Sequence, residues 1–246
     1  MKDFVIEIVG CVFSVHALFE STRDYCRDYW TEQKAEHTIS ITEEELRCEQ
    51  ELLNMEADEE GLKRRKFSDP FLERSALQRK IAEILFERDV LLMHGSTVSV
   101  DGQAYLFTAA CGTGKSTHTR LWCELFGDRA RMVNDDKPFL MLNEDGVLAC
   151  GSPWTGKHGL GNHITCPLKG ICILKRGTVN RIRRINADDA RAMLTHQCFQ
   201  PGKRTEKTFQ MIERVMHLIP LWEMECTKDP SAVQVAWNAM GGCNSN

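Results

Sequence analysis

The run Ala109-Ala110-Cys111-Gly112-Thr113-Gly114-Lys115-Ser116-Thr117 has the residue types and spacing to hold phosphate. Against the pattern G-x-x-x-x-G-K-[ST] it matches at Gly114, Lys115 and Ser116 and departs at the first glycine, where Ala109 stands. The chemistry tolerates that departure. Gly112 and Gly114 lack a Cβ, so successive backbone N–H groups can turn inward onto an anion. A helix beginning at the end of the run adds its unpaired amides and the positive end of its dipole. Lys115 would reach the outer phosphates of a nucleoside triphosphate, and the Ser116 hydroxyl would ligate Mg²⁺. Cys111, Gly112, Thr113, Gly114, Lys115, Ser116 and Thr117 are therefore the candidate phosphate-binding residues. The bland alternative is a glycine-rich turn with no ligand.

The elements that must position this run are legible on both sides. A strand over 104–108 enters it and a helical pattern over 117–126 leaves it. Residues 98–100 and 103–107 flank Asp101-Gly102, a preferred two-residue hairpin turn, so the entering strand is paired antiparallel to the one before it. A short strand over 130–133 leads to Asn134-Asp135-Asp136, and a further hairpin is expected over 138–150. These features predict an α/β fold with a mixed, largely antiparallel sheet, an embedded phosphate loop and flanking helices. They argue against the parallel, doubly wound sheet of common nucleotide-binding domains.

Earlier in the chain, residues 1–16 read as two short strands around Gly10, followed by a helix over 21–30 and a strand over 37–41. Thr42-Glu43-Glu44-Glu45 forms a capping box that starts an acidic helix running to about Glu60. The basic run Lys63-Arg64-Arg65-Lys66 reads as a solvated linker. The domain boundary is placed there: 1–66 is an N-terminal α/β portion without an assigned role, and 67–246 is the nucleotide-binding core. Asp69-Pro70 starts a helix whose Leu77, Ile81, Ile84 and Leu85 form an apolar stripe expected to pack on that core. Later, 171–174 reads as a core strand with 181–185 as its antiparallel neighbour. Helices are expected over 188–196, 204–219 and 230–240, a strand over 221–226, and a frayed tail over 241–246. Arg181, Arg183 and Arg184 read as a solvated strand edge, and Trp222 and Trp237 as core.

The chain has 246 residues, 27% of them charged and 42% hydrophobic, an ordinary globular composition. A net charge of −4 leaves no electrostatic footprint for nucleic acid or an anionic membrane. No apolar run approaches the roughly 20 residues of a membrane span, and the opening residues do not read as a signal peptide. The 11 cysteines are scattered without a C-x-x-C, which suggests reduced thiols in a cytoplasmic protein, not a disulfide framework or zinc site.

The order His94-Gly95, hairpin, Cys111-Gly112-Thr113-Gly114-Lys115-Ser116, helix, Asn134-Asp135-Asp136 resembles the catalytic domain of HPr kinase/phosphorylase, whose fold is shared with phosphoenolpyruvate carboxykinase. The segment Gly151-Ser152-Pro153-Trp154-Thr155-Gly156-Lys157-His158 is similar to the short kinase-like bacterial members. The likeness covers roughly residues 91–177 and does not extend to the family's regulatory domain. It implies that Asp135, the first aspartate of the pair, is the general base on an acceptor hydroxyl, that Asp136 contacts metal, and that His94 lies near the transferred group. Adjacent carboxylates beside a metal-bound triphosphate suit this, because their proximity pushes the two pKa values apart. A solvated Asp-Asp turn before Pro138, and a His94 that is merely a core residue, are the alternatives. The family's R-G-x-G arginine has no counterpart. His158 stands at its place, and Lys157 beside it could supply charge without the bidentate fork. The stretch 156–163 reads as a loop over the site.

The implied activity is ATP- and Mg²⁺-dependent transfer of the γ-phosphoryl group to a hydroxyl, a serine of a protein, a peptide or the free amino acid. Two other readings stay open: a catalytically silent ATP-binding regulatory or scaffold protein, and a carboxykinase-type reaction on a keto acid. No nucleic-acid or membrane partner is expected, and assembly of identical chains stays open.

Overall fold

The structure is a computed structural model and describes residues 2–59, 61–110, 112–202 and 205–241. Cys111, the helix start expected at Arg204 and the tail beyond Gly241 lie outside the described residues. The chain divides into two compact units, Met1–Leu85 and Phe86–Asn246. The division follows the helix from Asp69 instead of preceding it. The basic run at 63–66 is a visible break in composition, whereas the actual junction falls where an apolar-striped helix ends and nothing in composition marks it.

In the first unit, β1 (Lys2–Ile8) and β2 (Cys11–Ala17) pair antiparallel across a turn with both central residues at positive φ, Val9 at 53° and Gly10 at 69°. A β-branched residue there is strained, so the hairpin register over-determines it. Helix α1 (Glu20–Tyr25) is shorter than expected, and a 3₁₀ turn follows at Arg27–Tyr29. It stops because the chain must turn back: Trp30 bridges to Ile6 and the Thr31 N–H donates to the Val5 carbonyl at 3.1 Å. Strand β3 (His37–Ser40) runs parallel to β2. The capping box forms in both directions, Thr42 N–H to Glu45 Oε2 at 2.9 Å and Glu45 N–H to Thr42 Oγ1 at 3.3 Å. Helix α2 (Glu43–Glu59) follows, then α3 (Asp69–Phe86), whose Leu77, Ile81 and Leu85 are fully buried while Ile84 is half-buried.

Glu73 of α3 is fully buried and does for α1 what no residue of α1 does. Its carboxylate accepts from the Leu18 N–H, from the Phe19 N–H at 3.2 Å and from the Thr22 hydroxyl at 2.5 Å. Removing it would leave those buried donors unmet. Glu73→Ala is expected to cost about 3 kcal/mol, read as a lowered midpoint in urea unfolding; an unchanged midpoint would count against the staple.

The second unit is built on one large sheet. Its elements in order are β4 (Val90–Leu92), β5 (Ser96–Val100), β6 (Gln103–Thr108), α4 (Lys115–Phe126), β7 (Ala130–Asn134), β8 (Phe139–Asn143), β9 (Gly146–Cys150) and β10 (Thr165–Arg176). Then come β11 (Arg181–Ile185), α5 (Ala187–Gln197), α6 (Thr205–Leu218), β12 (Leu221–Cys226) and α7 (Ser231–Met240). The strand order is β4-β8-β9-β10-β6-β5-β7, with β12 also on β10 and β11 on β12. Strand β10 is parallel to β6 and β12, and the other described pairings are antiparallel. The sheet is therefore mixed and largely antiparallel, as the hairpins predict. One neighbour differs: β11 pairs with β12, not with β10, because the parallel return of β12 takes the place beside β10.

Both faces are covered, which explains the unbroken apolar run 104–107. Alternate residues of β6 serve opposite sides. Ala104 and Leu106 join a cluster with residues of α5 and α6, while Tyr105 and Phe107 join Trp122 of α4 and Ala236 of α7. The hairpin turn has Asp101 at φ 50° and Gly102 at 77°, the geometry its sequence calls for.

Candidate functional site

The site follows from strand direction. Strand β6 ends at Thr108 and delivers the candidate phosphate loop. Because β5 is antiparallel to it, with Ser96 opposite Phe107, His94 and Gly95 arrive at the same sheet end. Strand β7 is antiparallel to β5, with Asn134 opposite Thr97, so Asp135 and Asp136 arrive there too. Parallel β10, with Ile173 opposite Thr108, brings Lys175 and Arg176.

In the loop, Gly112 (φ 72°) and Gly114 (φ 118°) take left-handed conformations that side chains resist. The Thr113 hydroxyl folds back on the Ala110 carbonyl at 2.8 Å. Helix α4 begins at Lys115, so Lys115, Ser116 and Thr117 form its first turn. Lys115 is buried, and its ammonium donates to the Ala109 carbonyl at 3.2 Å. The Ser116 hydroxyl donates to the backbone carbonyl of Asp135 at 3.3 Å, which places the aspartate pair against the loop. Thr119 Oγ1 lies 2.7 Å from Ser96 Oγ, tying the helix start to β5.

Asn134 positions the two aspartates. Fully buried, it accepts with Oδ1 from the N–H groups of Asp136 (2.8 Å) and Lys137 (2.6 Å), forming a local Asx turn. Its amide donates to the Ser152 carbonyl at 3.0 Å and the Trp154 carbonyl at 3.2 Å. The chain from Gly151 to Ile164 thereby becomes a strap across the end of β7. It is fixed again where the Asp135 N–H meets the Leu160 carbonyl (3.0 Å) and the Asn162 N–H meets the Val133 carbonyl (3.2 Å).

The two carboxyls differ. Asp135 is 2% exposed; Oδ1 accepts from the Gly156 N–H at 2.6 Å, and Oδ2 is buried without a hydrogen-bond partner. Burial raises its pKa, opposed by the Gly156 N–H and assisted by the charge of Asp136. Gly156 suits this approach, since a Cβ there would lie 3.2 Å from Oδ2. Asp136 meets His94 Nε2 at 3.3 Å. Burial pushes its pKa up, but the His94 contact and the charges of Lys137 and Lys115 outweigh that and hold it low. Burial also lowers His94, with Lys137 and Lys115 adding to it against the pull of Asp136. The pair thus splits into a carboxyl that holds its proton more readily and one that stays ionised.

The ionised Asp136 carboxylate and the Ser116 hydroxyl, which among the described residues meets a backbone carbonyl, suit a hard divalent cation, and the unpartnered buried oxygen of Asp135 is left for a proton donor. The site brings together Gly112, Thr113, Gly114, Lys115, Ser116, Thr117, His94, Asp135 and Asp136. Lys157 and His158 instead lie exposed on the turn after Gly156, with no hydrogen bond to the loop or the aspartates among the described residues. Sequence reading missed two residues. Arg176, at the end of β10, donates from Nη2 to the Gly112 carbonyl at 2.5 Å; only its place at the end of a strand parallel to β6 could have signalled it. Asn134 was visible as an Asx residue before two aspartates. On α4, buried His118 accepts from the Trp122 indole N–H at 3.1 Å, and burial lowers its pKa to about 4, so it packs as a neutral ring.

No protein-family model and no curated protein matches the chain. Among solved structures, the Hpr(Ser) kinase/phosphatase from Coxiella burnetii is similar at 11% identity and a TM-score of 0.37, over 63% of this chain and 99% of that one. A likeness this distant carries no functional argument. Among the described residues, no helix is long and apolar enough to cross a membrane.

Proposed function

We propose that the protein transfers the γ-phosphoryl group of ATP to a hydroxyl, a serine of a protein, a peptide or the free amino acid. The observation that carries this is the Ser116–Asp135 contact: it joins a lysine-bearing phosphate loop to a buried carboxyl with an unpartnered oxygen.

Loop amides and the first turn of α4 bind the phosphates, and the Lys115 ammonium leaves the Ala109 carbonyl to meet them. Arg176 takes the part left open by the missing arginine of the loop after the sheet. From the Gly112 carbonyl its guanidinium can swing to a phosphate oxygen, with the planar fork that Lys157 lacks. Mg²⁺, held by the Ser116 hydroxyl and the Asp136 carboxylate, would supply charge neutralisation at the phosphates. Asp135 accepts the proton of the acceptor hydroxyl as its oxygen bonds to phosphorus and ADP departs.

The test is transfer of labelled phosphate from ATP with Mg²⁺ to proteins, serine peptides and free serine. Arg176→Ala is expected to lower kcat/KM by about 100-fold, and Arg176→Lys to recover only part of it. A wild-type rate in Arg176→Ala removes Arg176 from the mechanism. Nucleotide binding with no transfer to any acceptor would overturn the kinase and favour the regulatory or scaffold reading.

A further inference from the structure

The first unit contains a group of ligating atoms that takes no part in the phosphate site. Cys11 is the first residue of β2, fully buried, directly after the strained Val9–Gly10 turn. Across the sheet, His37 opens β3 opposite Phe13 and stacks on its ring at 5.7 Å. Glu36, one residue earlier, reaches back to accept from the Val12 N–H at 3.3 Å, so its carboxylate lies alongside the start of β2. One ligand atom from each of Cys11, Glu36 and His37 falls within 4.8 Å of the others. Independently, His37 Nε2 is buried with no hydrogen-bond partner. An imidazole nitrogen closed off from water and left unmet is costly, and a metal ion is one of the few groups that relieves it.

We propose that Cys11, Glu36 and His37 form a binding site for a borderline-soft divalent cation, of which Zn²⁺ is the natural occupant. A thiolate, an imidazole and a carboxylate suit zinc, whereas calcium and magnesium want oxygen alone. Ligand atoms on a tetrahedral zinc lie roughly 3.5 Å apart, so the group, already within 4.8 Å, has at most a small movement to make. Glu36 sits at a bend ahead of β3, where its rotamer can supply that movement. Binding would take the thiol proton of Cys11 into solvent and form the S–Zn bond. Three protein ligands leave a fourth position for water. The site would bolt the open end of the β2–β3 pair, where the chain returns from the 3₁₀ turn. Its ligands lie at positions 11, 36 and 37, a spacing that no short cysteine motif reveals.

The experiment uses the full chain, stripped with a chelator and titrated with Co²⁺ and then Zn²⁺. One Co²⁺ per chain should bind with a thiolate-to-metal absorption band, and Zn²⁺ should displace it. Cys11→Ser and His37→Gln should each weaken binding by more than about 100-fold, while Cys48→Ser, on an exposed cysteine, should leave it unchanged. Circular dichroism shows whether each variant is folded. Should Cys11→Ser unfold the unit, His37→Gln alone carries the test. Absence of a thiolate band, or unchanged affinity in folded His37→Gln, overturns the proposal. Neither outcome bears on the phosphate site.

Discussion

Asp135→Asn is expected to lower phosphoryl transfer by about 1000-fold while ATP affinity stays within about threefold. Asparagine keeps the shape and can still accept the Gly156 N–H, but it cannot take a proton. The pH profile adds a second signature. Burial raises the Asp135 pKa, so the base protonates at a higher pH than the ~3.9 of a free aspartate. Activity should be full above the raised value and fall about tenfold per pH unit below it. Asp136, held low by His94 and Lys115, stays ionised across that range, so its replacement should instead weaken Mg²⁺ dependence. Transfer by Asp135→Asn at the wild-type rate, or an acid limb no higher than that of an ordinary carboxylate, would remove Asp135 as the base.

The largest expected effect on stability lies at Gly151, where the strap leaves β9. A Cβ there would stand 1.9 Å from the Asn162 carbonyl oxygen and 3.0 Å from that of Val133. Both obstacles are backbone, and neither can rotate away. The Gly151 N–H already bonds to the Ile164 carbonyl at 2.9 Å, so the strap and the end of β7 must separate to admit a methyl group. Gly151→Ala should therefore cost at least about 3 kcal/mol, a fall in Tm of roughly 6–12 °C for a chain of this size. Because the strap carries the Leu160 and Gly156 contacts to Asp135, transfer should fall as well. A thermal midpoint within about 2 °C of wild type would show that the strap yields easily.

Local chemistry made much of the fold readable. Asp101-Gly102 announces its hairpin because a two-residue turn needs positive φ at both positions. Thr42 and Glu45 announce the start of α2 because each satisfies the other's backbone. The loop and the aspartate pair stood out in the sequence by residue type, and the structure sets them side by side through the Ser116–Asp135 contact. What stayed hidden depends on partners far apart in sequence. Strand β12 enters beside β10 and displaces β11, a choice made by parallel pairing that periodicity does not encode. The end of α1 is set by Trp30 meeting β1, and Arg176 meets Gly112 only once β10 lies against β6. Lys157 looked the better cation because it stands beside the sequence match, yet its turn points it to solvent.

Strand order also has a kinetic meaning. Strands β5, β6 and β7 with α4 are consecutive in the chain and adjacent in space, so the loop and both aspartates can assemble through short closures. Arg176 reaches Gly112 across a separation of 64 residues. Contacts of that span are slow to form. Pulse-labelled hydrogen exchange during refolding should protect the amides of β5–β7 ahead of those joining β10 to β6, so the glycine-bearing loop would take shape before the Arg176 guanidinium closes on it.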